Sequence, residues 1–562
     1  MSSHLRRCSS LKLKSRSRDL SFLFASLRER RTTVFAWLIS GFLAMYFEAI
    51  AIAAELRDYP GGAVALSKSI MPTIEGMRII RWPADRLDTL GGYLAYHNIV
   101  LFNYFLALFA ATQGARLIRH LEENQNVNLY LSTGLSRSRM MNIRVLSYFL
   151  SQILISLGLG AGTAFALAAS NEPNTQGALI TLLAGGICIF PFFALGVFIS
   201  QFVISSRNAT GIAAIFVTTI YLLDNISGKY GWLHWVSYLS PFHYANLTRP
   251  VIPGFGSNYW SWLMMVFVGL LIIQASIYLL SKRDIGAKSL GRVERVKVKK
   301  ISSVKSKLSY APKSVVGDLL WRQRYGLMAW VITSAAFIAL FISMMSGIID
   351  IWEKFAFLQQ FSASGFGDTP EQQYLAMVYE VMPPFLAAYL LMQSSKWSND
   401  LGQGRVQLFL ATPLSWSGLI LRRFLAAFLG AQLLIVSSIL VVIVGSKIQG
   451  VDVYSDAVIR VYVMANLFVL AFSGINALIV SIMRAKNVSI VLSIYVGAAW
   501  MIGFMAPYLK WPHWLVRLSI FDAFGHPFIA WPAELNFILI LLMTLGGVGV
   551  AMAISERSSK VI

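Results

Sequence analysis

The chain alternates long apolar runs with short polar segments. A helix needs about 20 mostly apolar residues to cross the hydrocarbon core of a bilayer. Twelve runs of roughly that length occur, six in each half of the 562 residues. They lie near residues 33–54, 94–112, 146–170, 177–203, 209–226, 260–280, 327–349, 374–393, 419–445, 458–482, 488–506 and 535–554. The pattern predicts an all-α polytopic membrane protein with twelve transmembrane helices.

Composition supports the membrane class and adds a charge to explain. Hydrophobic residues make up 56% of the chain, charged residues only 13%, and the mean hydropathy is +0.62. The formal net charge is nevertheless +22. Basic charge suits either nucleic acid or an anionic membrane face. Because no zinc-finger spacing or aromatic RNA-binding signature accompanies it, we expect membrane lipids as partners and no nucleic acid.

The distribution of Lys and Arg predicts the orientation. With the N-terminus inside, the inner segments and span ends carry 36 of the 48 Lys and Arg residues and the outer ones carry 12. Cytoplasmic segments of membrane proteins are enriched in these residues. We therefore expect a multi-pass protein of the cell (plasma) membrane with both termini in the cytoplasm.

The two halves of the chain resemble one another. A shift of 279 residues aligns them without a gap over several stretches, and a shift of 293 aligns their beginnings. At the first shift, Leu131, Thr133, Leu135, Ser136, Ser138 and Arg144 fall on Leu410, Thr412, Leu414, Ser415, Ser417 and Arg423. Six spans per half leave both halves with the same orientation, so the sequence predicts two parallel six-helix repeats.

The repeat divides the chain into four predicted parts. They are a basic cytoplasmic tail with a connecting helix (1–32), the first transmembrane half (33–280), a basic cytoplasmic linker with a second connecting helix (281–325), and the second transmembrane half (326–562).

Few ionisable residues lie inside the predicted spans. Glu48, Asp224 and Glu380 are the exceptions, and we expect them to face a translocation path or an interface. A mid-membrane titrating group would instead indicate an ion-coupled carrier. The chain contains no G-x-x-x-x-G-K-[ST] phosphate loop. The sequence therefore predicts no catalytic residue, no metal site and no cofactor bound by this chain.

Aromatic segments follow the fifth span of each half on the predicted outer side. A Trp-x-His-Trp pattern occurs in both, and its members are Trp232, His234, Trp235, Trp511, His513 and Trp514. Amphipathic rings favour the headgroup level of a membrane. We expect interfacial anchoring at these positions rather than metal binding.

A polar segment follows the second span of each half, residues 120–140 and 399–419, and we call these two stretches the doubled segment. In each half it becomes weakly amphipathic before a Gly or Pro turn. A short helix of this kind can lie at the inner membrane face, held by Val127, Leu129 and Leu131, and contact a cytoplasmic partner. A solvated loop is the alternative.

The doubled segment resembles the cytoplasmic signature of ABC-2-type exporter permeases, approximately E-E-x-G-T-x-E-x-L-L-x-T-P-[LV]-S-R. The first copy matches at Glu122, Glu123, Leu129, Thr133, Leu135, Ser136 and Arg137, and departs at Gln125, Asn128 and Gly134. The second copy matches at Gly404, Leu408, Thr412, Pro413, Leu414 and Ser415; Gln407 and Trp416 depart, and Asp400 is the shifted remnant of the acidic pair. The long fused format is similar to the polyketide-antibiotic (tetronasin-like) exporter group.

This resemblance implies an ABCG-like (type V) exporter architecture. It implies a connecting helix before each half, near Asp19–Arg31 and Val315–Tyr325, and re-entrant helices in the aromatic outer segments, which form an outer gate. The doubled segment would be the coupling helix that contacts the ATPase. Two copies of a separate ABC ATP-binding subunit would supply ATP and Mg.

The expected function is therefore the permease subunit of an ATP-driven exporter that moves an amphipathic or hydrophobic small molecule, such as a drug, antibiotic or lipid-like compound, out of the cytoplasm. The chain itself is not expected to be an enzyme. A secondary, ion-coupled multidrug carrier with two six-helix halves is the alternative. A membrane-embedded enzyme is disfavoured because no clustered acid, base or metal set occurs.

Overall fold

The protein is described here by a computed structural model. It describes residues 2–59, 61–76, 83–228, 230–284, 314–343, 345, 349, 369–402, 406, 414–483, 488–509, 511–517 and 519–559. Within these ranges the regular secondary structure is helical, with no strand. The chain divides into two compact units, residues 1–300 and 301–562.

Thirteen α-helices form the described part of the first unit. They are α1 (Ser2–Asp58), α2 (Gly62–Gly76), α3 (Leu90–Leu94), α4 (Val100–Arg116), α5 (Arg119–Glu123), α6 (Asn126–Ser132), α7 (Arg137–Ala169), α8 (Thr175–Cys188), α9 (Phe190–Phe202), α10 (Ser206–Ser227), α11 (His234–Ser237), α12 (Pro241–Asn246) and α13 (Tyr259–Lys282). A π-helical turn, Ala95–Ile99, joins α3 to α4.

Nine α-helices form the described part of the second unit. They are α14 (Val315–Ser343), α15 (Pro370–Glu380), α16 (Met382–Gly402), α17 (Trp416–Ile448), α18 (Ser455–Met483), α19 (Val488–Leu509), α20 (His513–Val516), α21 (Ile520–Phe524) and α22 (Glu534–Ser559).

Eleven helical stretches of the described residues are long and apolar enough to cross a membrane, six in the first unit and five in the second. Each coincides with one of the predicted spans. The twelfth predicted span, near 488–506, corresponds to α19, but the apolar part counted there, Ile490–Gly503, is shorter than a span. The twelve-helix count therefore stays a prediction.

Two predicted spans are interrupted by a break in the helix. The fourth consists of α8 and α9, which meet at Ile189, and the eighth consists of α15 and α16, which meet at Val381. Proline lacks the backbone N–H that a helix interior uses and clashes with the preceding turn. Pro191 and Pro383 follow these breaks within the first helical turn, which explains their positions.

Helix boundaries recur between the units. Both ends of α7 and both ends of α17 lie 279 residues apart, and the same holds for α11 and α20. The helix pairing recurs as well: α1 packs on α7 and α14 on α17, while α13 packs on α9 and α22 on α18. The spacing found in the sequence thus reappears in the helical boundaries.

Glycines let neighbouring helices approach to backbone contact. A Cβ on Gly114 of α4 would lie 2.1 Å from the Phe193 carbonyl oxygen of α9, and one on Gly196 would lie 2.1 Å from the Ala111 carbonyl oxygen. Small residues permit such close packing in membrane proteins. This contact fixes the end of α4 beside the end of α9.

The predicted connecting helices are not separate helices. In the first unit the segment 19–31 continues into the first span within α1, and in the second unit 315–325 continues within α14. The apolar stretch of α1 accordingly begins earlier than predicted, at Asp19 rather than at residue 33. Most of the predicted basic linker, residues 285–313, lies outside the described residues.

Candidate functional site

The first copy of the doubled segment folds into two short helices and a turn. Helix α5 ends at Glu123, and Gln125 adopts a positive φ of 58° between α5 and α6. After α6, Gly134 adopts φ 81°, a conformation that glycine reaches without steric cost. Ser136 then caps α7, accepting a hydrogen bond from the Arg139 amide at 3.3 Å. The segment is therefore a structured element rather than a loop.

A buried cluster of charges lies directly behind α5, and we call it the Glu122 network. The carboxylate of Glu122 accepts hydrogen bonds from Arg119 Nη1 at 2.8 Å and from Arg283 Nη2 at 2.7 Å and Nη1 at 3.2 Å. The side chains of Arg119, Glu122 and Arg283 are 1%, 3% and 1% exposed. A carboxylate bound by two guanidinium groups in this way is held firmly in place.

The Glu122 network also binds the end of α9. Arg119 Nε donates to the Ser200 carbonyl oxygen at 2.6 Å, and Arg283 Nε donates to Gln201 Oε1 at 2.9 Å. Burial lowers the pKa of Arg119, the nearby Arg283 charge lowers it further, and Glu122 opposes both effects. The carboxylate thus compensates two buried positive charges at the junction of α5, α9 and α13.

Two other predicted coupling residues bind the termini of spanning helices. Glu123 accepts hydrogen bonds from the Ser206 amide at 2.7 Å and its hydroxyl at 2.5 Å, at the start of α10. Arg137 Nη1 donates to the Arg283 carbonyl oxygen at 2.7 Å, just after α13. Carboxylates favour helix N-termini and arginines favour C-termini. Glu122, Glu123 and Arg137 therefore connect α5 and the start of α7 to three spanning helices.

Helix α6 presents a face that the rest of the described unit leaves open. Leu129 is 67% exposed, and Thr133 is exposed although its hydroxyl donates to the Tyr130 carbonyl oxygen. Tyr130 packs edge-on against Phe22 of α1, and Val127 is buried. The expectation that Val127 and Leu129 lie on one apolar face was wrong, because residues two apart on a helix do not share a face.

The second copy of the doubled segment is described only in part. Gly404, Thr412 and Pro413 lie outside the described residues. Ser415 caps α17 through its hydroxyl, which accepts from the Gly418 amide at 3.1 Å, just as Ser136 caps α7. Asp400 accepts a hydrogen bond from Arg423 Nη2 at 2.6 Å, and the Arg423 guanidinium lies 5.3 Å from the Trp397 ring centre.

Two protein-family models match the chain, one in each half. A model described as an ABC-2 family transporter protein matches residues 22–285. A model described as the C-terminal domain of the multidrug efflux system permease Rv1217c matches residues 313–554. The chain belongs to the ABC-2-type exporter permeases. No curated protein matches it.

Membership defines the general role of this permease. ABC-2 permeases are the membrane subunits of ABC exporters, and such a subunit works with an ABC ATP-binding partner. With eleven described helical stretches able to cross a bilayer, the permease is a multi-pass membrane protein. The residues that contact the partner stay predictions.

The aromatic outer segments of the permease are short helices with exposed rings. Trp232 and Trp235, near and within α11, are exposed, as is Trp514 in α20, whereas Trp511 is half-buried. Exposed indoles fit the headgroup level of a bilayer. His234 is exposed and packs edge-on against Tyr238. The side chain of His513 lies outside the described part, and the gate function of these segments stays a prediction.

The three carboxylates predicted for the translocation path occupy different settings. Glu48 of the permease lies 3.6 Å from His97 Nδ1 in the π-helical turn, and Glu380 is paired with His526. Asp224 borders a small cavity of about 10 Å³ together with Asn103 of α4. The structure therefore adds two carboxylate–histidine pairs that sequence reasoning missed.

Sequence reasoning also missed Arg119, Gln201 and Arg283 of the Glu122 network. One signal was available, since Arg119 precedes Glu122 by three residues and such neighbours meet on a helix. Arg283 is 161 residues from Glu122 along the chain. Nothing local in the sequence announces that contact.

Proposed function

We propose that this permease exports an amphipathic or hydrophobic small molecule from the cytoplasm or inner leaflet by alternating access. Two copies of a separate ABC ATP-binding subunit, which bind ATP and Mg, would power the movement. The matched family description names a multidrug efflux permease, which supports a drug-like or antibiotic substrate class and the predicted tetronasin-like kinship.

The observation that carries this proposal is the junction between α6 and the Glu122 network. Helix α6 presents Leu129 outward, and the neighbouring α5 is bound through buried charges to the ends of α9 and α13 and, through Glu123, to the start of α10. A partner that displaces α5 and α6 would therefore move the ends of three spanning helices. This is what a coupling element must do.

The proposed topology places this junction in the cytoplasm. The excess of Lys and Arg on the side of both termini supports that orientation in the plasma membrane. The recurrence of helix boundaries at 279 residues supports two parallel six-helix repeats of the ABCG-like type. Each repeat would then receive one ATP-binding subunit at its copy of the doubled segment.

A direct test uses the permease reconstituted in vesicles with its ATP-binding subunit. Leu129→Asp places a charge on the exposed face of α6, and Asn171→Asp places the same charge at an exposed position just beyond the opposite end of α7. We expect Leu129→Asp to lower ATP-driven export about tenfold, since losing an interface anchor costs about 1–2 kcal/mol. The Asn171→Asp variant should retain activity.

The opposite result is equally clear. If the permease alone moved its substrate on a proton or sodium gradient, with no ATP-binding subunit present, the proposal would fail. The same would follow if the Leu129 and Asn171 variants were equally active.

An ion-coupled carrier is the second candidate, and the carboxylate–histidine pairs favour it. Glu48 with His97 and Glu380 with His526 place titratable groups together within or beside the spans. The carrier predicts that Glu48→Gln and Glu380→Gln abolish transport. The ABC exporter predicts a greater loss from changes at Glu122.

A further inference from the structure

A second charged feature lies beside the Glu122 network but does not belong to it. A cavity of about 230 Å³ opens between α1, α4 and α7. Three arginines line it, one from each helix: Arg30, Arg116 and Arg144. The one carboxylate in its lining is that of Glu29. The walls therefore carry a net positive charge, and we call this space the arginine cavity.

The arginines are held in place by the protein but not neutralised by it. The Arg30 guanidinium stacks 5.5 Å from the Tyr148 ring centre and donates to Gln113 Oε1 at 3.4 Å, both uncharged partners. Arg144 is 7% exposed and pairs with Glu29 at 3.2 Å, yet its Nε has no hydrogen-bond partner among the described residues. A buried guanidinium donor without an acceptor is costly. An anion in the cavity would supply the acceptor.

The second unit lacks this charge at the corresponding positions. By the repeat spacing, Gln323 stands for Arg30 and Ser395 for Arg116. Arg423 stands for Arg144, and Asp400 pairs with it at 2.6 Å. A fold with the same helix boundaries therefore forms without the two extra arginines. Their presence in the first unit needs a reason other than folding.

The position of the cavity indicates the source of the anion. Arg116 is the last residue of α4, and Arg144 lies two turns into α7. Helix α7 has 33 residues, about 50 Å at roughly 1.5 Å per residue, whereas the hydrocarbon core is about 30 Å thick. The first turns of α7 thus reach the headgroup level.

The size of the cavity limits what can fill it. Pockets for drug-sized ligands begin at about 300 Å³, so about 230 Å³ suits a headgroup better than a whole amphipathic substrate. The fork of donors on an arginine matches phosphate geometry. We propose that the arginine cavity binds the phosphate headgroup of an anionic phospholipid. This site does not depend on the ATP-binding subunit.

The test measures lipid binding to the full-length permease in detergent by native mass spectrometry. Phosphatidylglycerol is the anionic probe, phosphatidylcholine is the zwitterionic comparison, and inorganic phosphate is the soluble competitor. The variant Arg30→Gln/Arg116→Ser copies the second unit. The control Arg28→Gln/Arg31→Gln removes the same charge from exposed positions of α1 that do not line the cavity.

We expect the wild type and the control to retain phosphatidylglycerol in preference to phosphatidylcholine. The cavity variant should lose affinity for phosphatidylglycerol by about tenfold or more, because each charge-assisted hydrogen bond contributes about 1.5–3 kcal/mol. If the double variant does not fold, Arg116→Ser alone serves, since Arg116 is exposed.

Three results would overturn the proposal. Equal losses in the cavity variant and the control would reduce the effect to general surface charge. Equal retention of phosphatidylcholine would show that net charge does not select the lipid. Displacement of phosphatidylglycerol by millimolar inorganic phosphate, in wild type only, would assign the cavity to soluble phosphate instead.

Discussion

Replacing Glu122 by Gln removes the negative charge from the Glu122 network while nearly preserving side-chain shape. Two guanidinium groups, those of Arg119 and Arg283, then lose the carboxylate they share at 2.8 and 2.7 Å. Both arginine side chains are 1% exposed, so water cannot readily replace the lost partner. We therefore expect a large loss of stability.

The magnitude follows from the bonds that remain. Breaking a buried ion pair by removing one partner costs about 3–5 kcal/mol. Arg119 keeps its bond to the Ser200 carbonyl oxygen at 2.6 Å, and Arg283 keeps Gln201 Oε1 at 2.9 Å. These bonds place the expected loss near the lower limit, about 3 kcal/mol. Glu123→Gln, at an exposed helix cap, should cost about 1 kcal/mol or less.

The assay is the free energy of unfolding of the purified permease, from denaturant titration in detergent. Glu122→Gln, Arg283→Gln and the double variant form a double-mutant cycle. Since the two residues are in direct contact, the double variant should lose about 1–3 kcal/mol less than the sum of the single losses. Additive losses within about 0.5 kcal/mol, or equal losses for Glu122→Gln and Glu123→Gln, would refute the reasoning.

Three further predictions concern packing, capping and pH. Gly196→Ala should destabilise the fold by about 1–3 kcal/mol, because its Cβ would lie 2.1 Å from the Ala111 carbonyl oxygen; the unfolding free energy checks this. Ser136→Ala and Ser415→Ala each remove a helix cap and should each cost about 1 kcal/mol by the same measurement, whereas unequal losses would show that the two caps differ. Burial, followed by the Arg116 charge, lowers the pKa of His120, so the unfolded chain binds this proton more readily and stability should fall as the pH drops below the ordinary histidine value. In His120→Asn the melting temperature should depend less steeply on pH between 7.5 and 5.5.

The spans could be predicted from sequence because their signal is local. A run such as 146–170 is apolar whatever it packs against, and α7 covers it. The extra length of α7 at its N-terminal end is also readable, since Ser136 is a typical cap. The break at Ile189 could have been predicted from Pro191 but was not.

The interior of the candidate site could not be predicted in this way. The acidic pair was expected to face a partner, whereas the structure buries the Glu122 side chain among residues from the ends of α9 and α13. Its partners lie up to 161 residues away. A contact at that distance depends on helix packing, such as the glycine approach between α4 and α9, and not on any local pattern.

The two halves therefore fasten the doubled segment by different physical means. In the first, Glu122 joins it to α9 and α13 through buried charges, and at the repeat spacing the second half has Leu401 in that place. There Asp400 instead pairs with Arg423, which joins α16 to α17. A displacement of the first copy would reach the fourth and sixth spans, whereas one of the second would reach the second and third. An exporter built this way would receive two equivalent pushes and convert them into unequal movements.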